Sequence, residues 1–376
     1  MPEIKETKVK RNSAIELLRI IAMVMIVAHH FAVHGGFEFD TNVITLPRLW
    51  WGFIGIGGNF GVDVFMLISG YFLVSSKAVS VDFRKTFRFW TQVLFYSVVL
   101  FVISISLGWE QVTFNGIKKA IMPVTFNMWW FASVYFILFL LHPYINIFLK
   151  SMTAKEYRGV MGALLLLWSV IPTVANDPFF SNILIEMFMV YVIGGYIKLH
   201  GLSEKIKSKH YFGLFFISLL AIYLSYVAII LVGIKVPSVA ESNMYFYGRV
   251  KVPMLFCAVS IFMAFITMKP FNSKFINTVA TGTFGVYLIH DSHALRSLIW
   301  KTVFKTAEYG DTIMIIPYSI LVTVLIFVVC CLIDIIRAKT VEVLAMKFYD
   351  GVIDKAIKKC LALLGKGKTL VFGEDN

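Results

Sequence analysis

The chain has 376 residues, of which 59% are hydrophobic and only 15% charged, with a mean hydropathy of +0.79. Soluble globular domains carry about a quarter charged residues, so a soluble fold is excluded. The net charge of +13 sits between apolar runs of about 20 residues, each long enough to cross a bilayer as a helix; it reads as a topology signal and not as a nucleic-acid footprint.

In chain order the apolar runs predict about ten spans, at 13–34, 53–76, 89–108, 129–149, 159–175, 183–199, 212–232, 252–268, 278–299 and 313–336. With the N-terminus inside, the inner connections hold 25 Lys and Arg and the outer ones 8. The positive-inside rule then puts both termini in the cytoplasm, with some affinity for anionic headgroups. The expected fold is all-α and polytopic. The basic N-terminal segment 1–12 precedes a full span with no small-residue cleavage site, so the first helix is expected to be retained. No Cys-based metal spacing or disulfide framework is visible among Cys257, Cys330, Cys331 and Cys360.

The segment "WWGFIGIGGNFGVDVFMLISGYF" (51–73) carries five glycines within residues 52–61. Glycine weakens helices, so a broken or re-entrant outer segment is expected there, tolerated where protein or a cavity surrounds it. At the other end, 337–376 forms a cytoplasmic tail. Val343, Met346, Val352, Ile353, Ile357 and Leu361 recur near helical spacing with lysines between, as in an interfacial amphipathic helix, although a solvated tail helix fits equally well.

Ionisable groups inside a membrane are costly and by default line an interior or a pathway. The predicted spans contain Arg19, His29 and His30, then Asp63, then Glu186, and late in the chain His290, Asp291, His293 and Arg296. Arg19 and His30 are separated by about three turns plus 20°, so they share one helix face about 16 Å apart along the axis, while His29 points about 100° away. A carboxylate beside a histidine would fix its tautomer and raise its basicity, as a general base requires. Asp63, Glu186 and Asp291 all remain open for that role. His30 with His34, and His290 with His293, have spacings that suit metal ligands. No HExxH or multi-carboxylate pattern accompanies them, and no metal is expected. Arg84, Lys85 and Arg88 in an inner loop are candidates for an anion pocket.

Taken together, several stretches resemble the membrane-bound acyltransferase-3 family over roughly residues 13–336. Arg19, ten residues and His30 match its first helix; "GVDVFMLISGYFL" (61–73), "RKTFR" (84–88), "MWWFASVYFILFLLHPYI" (128–145) and "GTFGVYLIH" (282–290) follow in the family's order. The wording is most similar to Gram-positive members associated with surface-polysaccharide modification. The resemblance implies an enzyme that moves an acyl group, usually acetyl, from cytoplasmic acyl-coenzyme A to a hydroxyl of an extracytoplasmic or lipid-linked glycan in the bacterial cytoplasmic membrane. It implies His30 as general base or acyl relay, with Arg19 and Asp63 beside it. Coenzyme A is expected on Arg19, Arg84, Lys85, Arg88 and Ser69. The acceptor side is expected to use Glu186, Trp129, Trp130, Tyr135, Tyr287, His290 and His293. The family often separates its loop arginines by two residues; here three residues lie between Arg84 and Arg88, and Lys85 restores the two-residue spacing. Many members carry an extra hydrolase-like domain, which is not found in this sequence, so transfer is expected within the membrane domain or through a partner. A homodimer is among the assemblies allowed. A glycan-precursor transporter is the main rival on helix number and buried charge.

Overall fold

The computed structural model describes residues 12–201, 205–360 and 362–363. Among them there is no strand, and nine helical segments are long and apolar enough to cross a membrane. Residues 1–11 of the basic segment, and Leu361 and 364–376 of the tail, lie outside the described residues.

Helix α1 (Ser13–His34) starts where the Asn12 side chain accepts the Ala14 N–H, satisfying an otherwise orphaned donor. The Ser13 hydroxyl meets Asn277 at 2.9 Å, anchoring this end of the helix. Helices α2 (Leu46–Gly55) and α3 (Gly57–Leu73) are parted only at Ile56, so the expected glycine-rich break is a joint between two helices. The glycines serve close approach: a Cβ on Gly58 would stand 2.4 Å from the His29 ring, and one on Gly61 would stand 2.6 Å from Ile26. Small residues let membrane helices pack backbone to backbone. Helix α3 accordingly lies against α1.

Helix α4 (Phe83–Ser106) leads through α5 (Phe114–Ile121) to α6 (Trp130–Ser151). In α6, Pro143 cannot donate to the Phe139 carbonyl, and His142 Nδ1 approaches that carbonyl at 2.5 Å instead. Helices α7 (Ala154–Leu165) and α8 (Ile171–Ala175) join through a π turn into one span. There follow α9 (Ile183–His200), packed on α3, and α10 (Ser208–Gly233), paired with α12 (Val252–Ile266) after the short α11 (Pro237–Ala240).

The span expected at 278–299 is not one helix. It divides into α13 (Lys274–Thr281), α14 (Thr283–His290) and α15 (His293–Ser297), with breaks at Gly282 and Asp291. This explains why nine long segments occur among the described residues where about ten were expected. Helix α16 (Ile315–Lys339) turns at Thr340 into α17 (Val341–Phe348). Met346 packs inward whereas Val343 and Val352 are exposed, so the tail's apolar residues do not share one covered face.

Candidate active site

A cavity of about 280 Å³ lies between α1, α3, α14 and the start of α6. Met23, Ile26 and His30 line it from one face of α1. Arg19 sits one turn below Met23 on that face, outside the lining, 3.3 Å from Glu16 and with its guanidinium 5.8 Å from the Phe72 ring centre.

The polar centre is a chain of imidazoles. His290 Nδ1 lies 2.5 Å from the Val286 carbonyl, which can only accept, so this nitrogen carries the proton. His290 Nε2 is then an acceptor, and His30 Nδ1–H donates to it at 2.8 Å. The consequence is that neutral His30 keeps its lone pair on Nε2. Asp291 follows directly: its Oδ1 is 3.8 Å from His30 Nδ1, 3.7 Å from His34 Nε2 and 2.7 Å from Arg296 Nη2. The helix break at Asp291 is what turns this carboxylate back onto α1. Of the three carboxylates left open by the sequence, Asp291 is the one beside His30.

The break also separates His293 from His290, which a continuous helix would have stacked one turn apart. His293 starts α15 behind its Ser292 cap and lines a different cavity. His30, His34 and Asp291 bring one ligand-capable atom each within 4.8 Å of one another. The spacing of His30 and His34 was visible in sequence, but the carboxylate between them was not. Arg296 already neutralises that carboxylate.

Opposite the histidines, Arg249 forms the other polar wall. Its Nη2 is 2.9 Å from Glu186, its Nη1 is 3.3 Å from Asn59, and its guanidinium covers Trp130 at 4.9 Å. Glu186 therefore holds Arg249 and does not itself line the cavity. Arg249 went unnoticed because it counts as one of the few basic residues of an outer connection. Asn59 carried no signal beyond its place among glycines. His29 also lines the cavity: its Nδ1 donates to the Gly55 carbonyl at 2.7 Å, so its 100° offset does not remove it from the site.

The remaining expected residues divide clearly. Trp130 and Tyr287 line this cavity, whereas Trp129 lines the second one. Tyr135 stacks between Phe131 and Phe139 within α6. Asp63 is fully buried, with neither carboxylate oxygen meeting a hydrogen-bond partner among the described residues, and its charged neighbours are Arg249 and Glu186 rather than His30. Ser69 lies outside the lining, and its hydroxyl donates to the Phe65 carbonyl at 2.8 Å.

Each of the loop basic residues meets a carboxylate. Arg84 makes a two-point contact with Asp350 at 2.8 and 2.9 Å, Arg88 meets Glu342, and Lys85 meets Asp82 at 3.0 Å. The tail thus supplies the carboxylates that meet Arg84 and Arg88, and Arg84 holds the Asp350 carboxyl below its ordinary range. Sequence reading also passed over Asp334 within the last span. It accepts from Arg337 at 2.6 Å, Tyr96 at 2.8 Å and Gln92 at 3.0 Å, and it ties α4 to α16.

A family model described as "Acyltransferase domain" matches residues 12–335. The chain belongs to the acyltransferase-3 family. The match spans every helix that lines the central cavity, so the imidazole chain is part of the acyltransferase domain itself. No curated protein and no solved structure matches this acyltransferase.

Proposed function

We propose that this membrane acyltransferase moves an acetyl group from acetyl-coenzyme A to a hydroxyl of an extracytoplasmic or lipid-linked polysaccharide, in the bacterial cytoplasmic membrane, with both termini cytoplasmic. The observation that carries the reading is the hydrogen bond that His30 Nδ1 donates to His290, because it leaves the His30 Nε2 lone pair free beside a cavity. Support for the orientation comes from the 25-to-8 distribution of basic residues between the two sides.

The coenzyme enters from the Arg19 end, and its pantetheine arm covers the ~16 Å from Arg19 to His30. Its phosphates take Arg84, Lys85 and Arg88 in competition with Asp350 and Glu342. The thioester lies in the largely apolar cavity, which suits an acetyl group with few polar contacts.

His30 Nε2 takes the acceptor hydroxyl proton as the oxygen attacks the thioester carbonyl. The tetrahedral intermediate collapses by breaking the carbon–sulfur bond, and the coenzyme thiolate takes the proton back from His30. Asp291 stabilises the imidazolium that exists between these steps. A relay through an acyl-His30 intermediate uses the same nitrogen. A relay through Ser69 would require its hydroxyl to leave the Phe65 carbonyl, to which it donates at 2.8 Å.

Purified protein with acetyl-coenzyme A, assayed for thiol release and glycan acetylation, tests the reading. His30→Ala and Arg19→Ala should each abolish or strongly reduce transfer. Full transfer by both variants would falsify the assignment.

A further inference from the structure

The second cavity is larger, about 500 Å³, and is chemically unlike the first. It is formed by the end of α4, the 107–113 connection, α5, residues 126–129 and the start of α15. Its lining includes Ser104, Glu110, Gln111, Asn115, Lys119 and Trp129. Glu110, Gln111, Asn115 and Lys119 are exposed, and none of their side chains bonds to another described residue. Ser104 Oγ and Trp129 Nε1 are buried yet have no hydrogen-bond partner among the described residues. Buried donors and acceptors are rarely left this way. Two such residues in the lining of one cavity, beside four polar side chains that bond to no other described residue, suit a polar occupant.

The lining also limits what that occupant is. Besides His293, the lining carries one Glu and one Lys, which cancel, so a phosphate or carboxylate ligand would meet no fixed net positive charge. An acyl chain would strand the amides of Gln111 and Asn115. A neutral sugar ring offers vicinal hydroxyls to amides, which both donate and accept. It also offers an apolar face to an indole ring.

The two cavities share a thin wall. Trp129 lines the second and Trp130 the first; Ser292 lines the second and Asp291, 3.8 Å from His30, the first. On both segments, neighbouring residues serve opposite sides. We propose that the second cavity is a glycan subsite that holds a neutral, hydroxyl-rich sugar unit next to the unit that receives the acyl group. This rests on the acyltransfer to a glycan put forward above and gives the acceptor a place and a charge class.

The test uses the full chain in detergent or nanodiscs without any acyl donor. Tetrasaccharides of glucose, galactose and N-acetylglucosamine, and an anionic tetrasaccharide of glucuronic acid, are titrated while tryptophan emission is followed. At least one neutral tetrasaccharide should bind saturably. Gln111→Ala combined with Asn115→Ala, both at exposed positions, should raise its dissociation constant about tenfold or more. Trp129→Phe, which keeps a ring and removes the N–H, should reduce the spectral response. In the transfer assay the double variant should raise the acceptor KM and leave kcat within about twofold. No saturable binding of any neutral member, preference for the anionic one, or binding indifferent to the double variant overturns the subsite. Sugar binding weakened by the double variant, with no acyl transfer under any condition, keeps the subsite and removes the acyltransfer reading. Transfer that ignores the double variant does the reverse.

Discussion

Replacing His290 isolates the link on which the chemistry rests. His290→Phe fills much of the same volume but can neither accept from His30 Nδ1 nor donate to the Val286 carbonyl, the 2.8 and 2.5 Å contacts that fix both rings. A buried donor left without its acceptor costs about 1–3 kcal/mol. The His30 ring then reaches the reactive tautomer less often, and a tenfold rate change corresponds to about 1.4 kcal/mol. kcat for acetyl transfer should fall about 10- to 100-fold, with the acetyl-coenzyme A dissociation constant unchanged because His290 lies at the far end of the α1 face from Arg19. His290→Gln restores an acceptor oxygen toward His30 and an N–H toward Val286, so it should recover a substantial part of the loss. The assay is steady-state thiol release with acceptor present, alongside thermal melting to confirm that each variant folds. If folded His290→Phe keeps parental kcat, or if Phe and Gln are equally impaired, the proposed tautomer relay is wrong.

Other outcomes follow from the same geometry. Gly58→Ala places a methyl group 2.4 Å from the His29 ring, and overpacking of this kind costs about 1–3 kcal/mol; the thermal midpoint and activity should both drop, and a variant as stable and active as the parent would contradict the close α1–α3 packing. Asp350→Asn frees Arg84 and should lower the KM for acetyl-coenzyme A a few-fold. Because Arg84 holds the Asp350 carboxyl below its ordinary 3.8, the contact is complete above that value and is lost only as pH falls through the lowered one; the variant-to-parent KM ratio should therefore be flat from pH 5 to 8, and a midpoint inside that window would refute the pairing as its cause. Arg296 already compensates Asp291, so exhaustive chelation should leave transfer intact, whereas loss on chelation with recovery on adding zinc would assign His30, His34 and Asp291 to a metal.

The local periodicities were legible from sequence because they depend only on chain geometry. Apolar runs of bilayer length fixed the all-α membrane class. Helix arithmetic put Arg19 and His30 on one face, and that face now lines the cavity from Met23 to His30. The late "GTFGVYLIH" stretch was singled out, but hydropathy alone joined 278–299 into one span and so misplaced His293. No local signal encodes that a helix stops at Asp291 in order to turn a carboxylate.

What only the tertiary structure decided are the contacts between residues far apart in sequence. His30 meets His290 across 260 positions, and Arg84 meets Asp350 across 266. Asp63, Glu186 and Asp291 were equivalent candidates along the chain because each is a single carboxylate in an apolar run. They differ in which helix faces them, and that is set by how closely glycines such as Gly58 and Gly61 let α3 approach α1. Arg249 stays in the turn ahead of α12, yet its side chain reaches the cavity wall. Sequence determined the solvent, most of the long helices and the first-helix face; packing determined which charges share a cavity, because pairing energies act over a few ångströms in space regardless of distance along the chain.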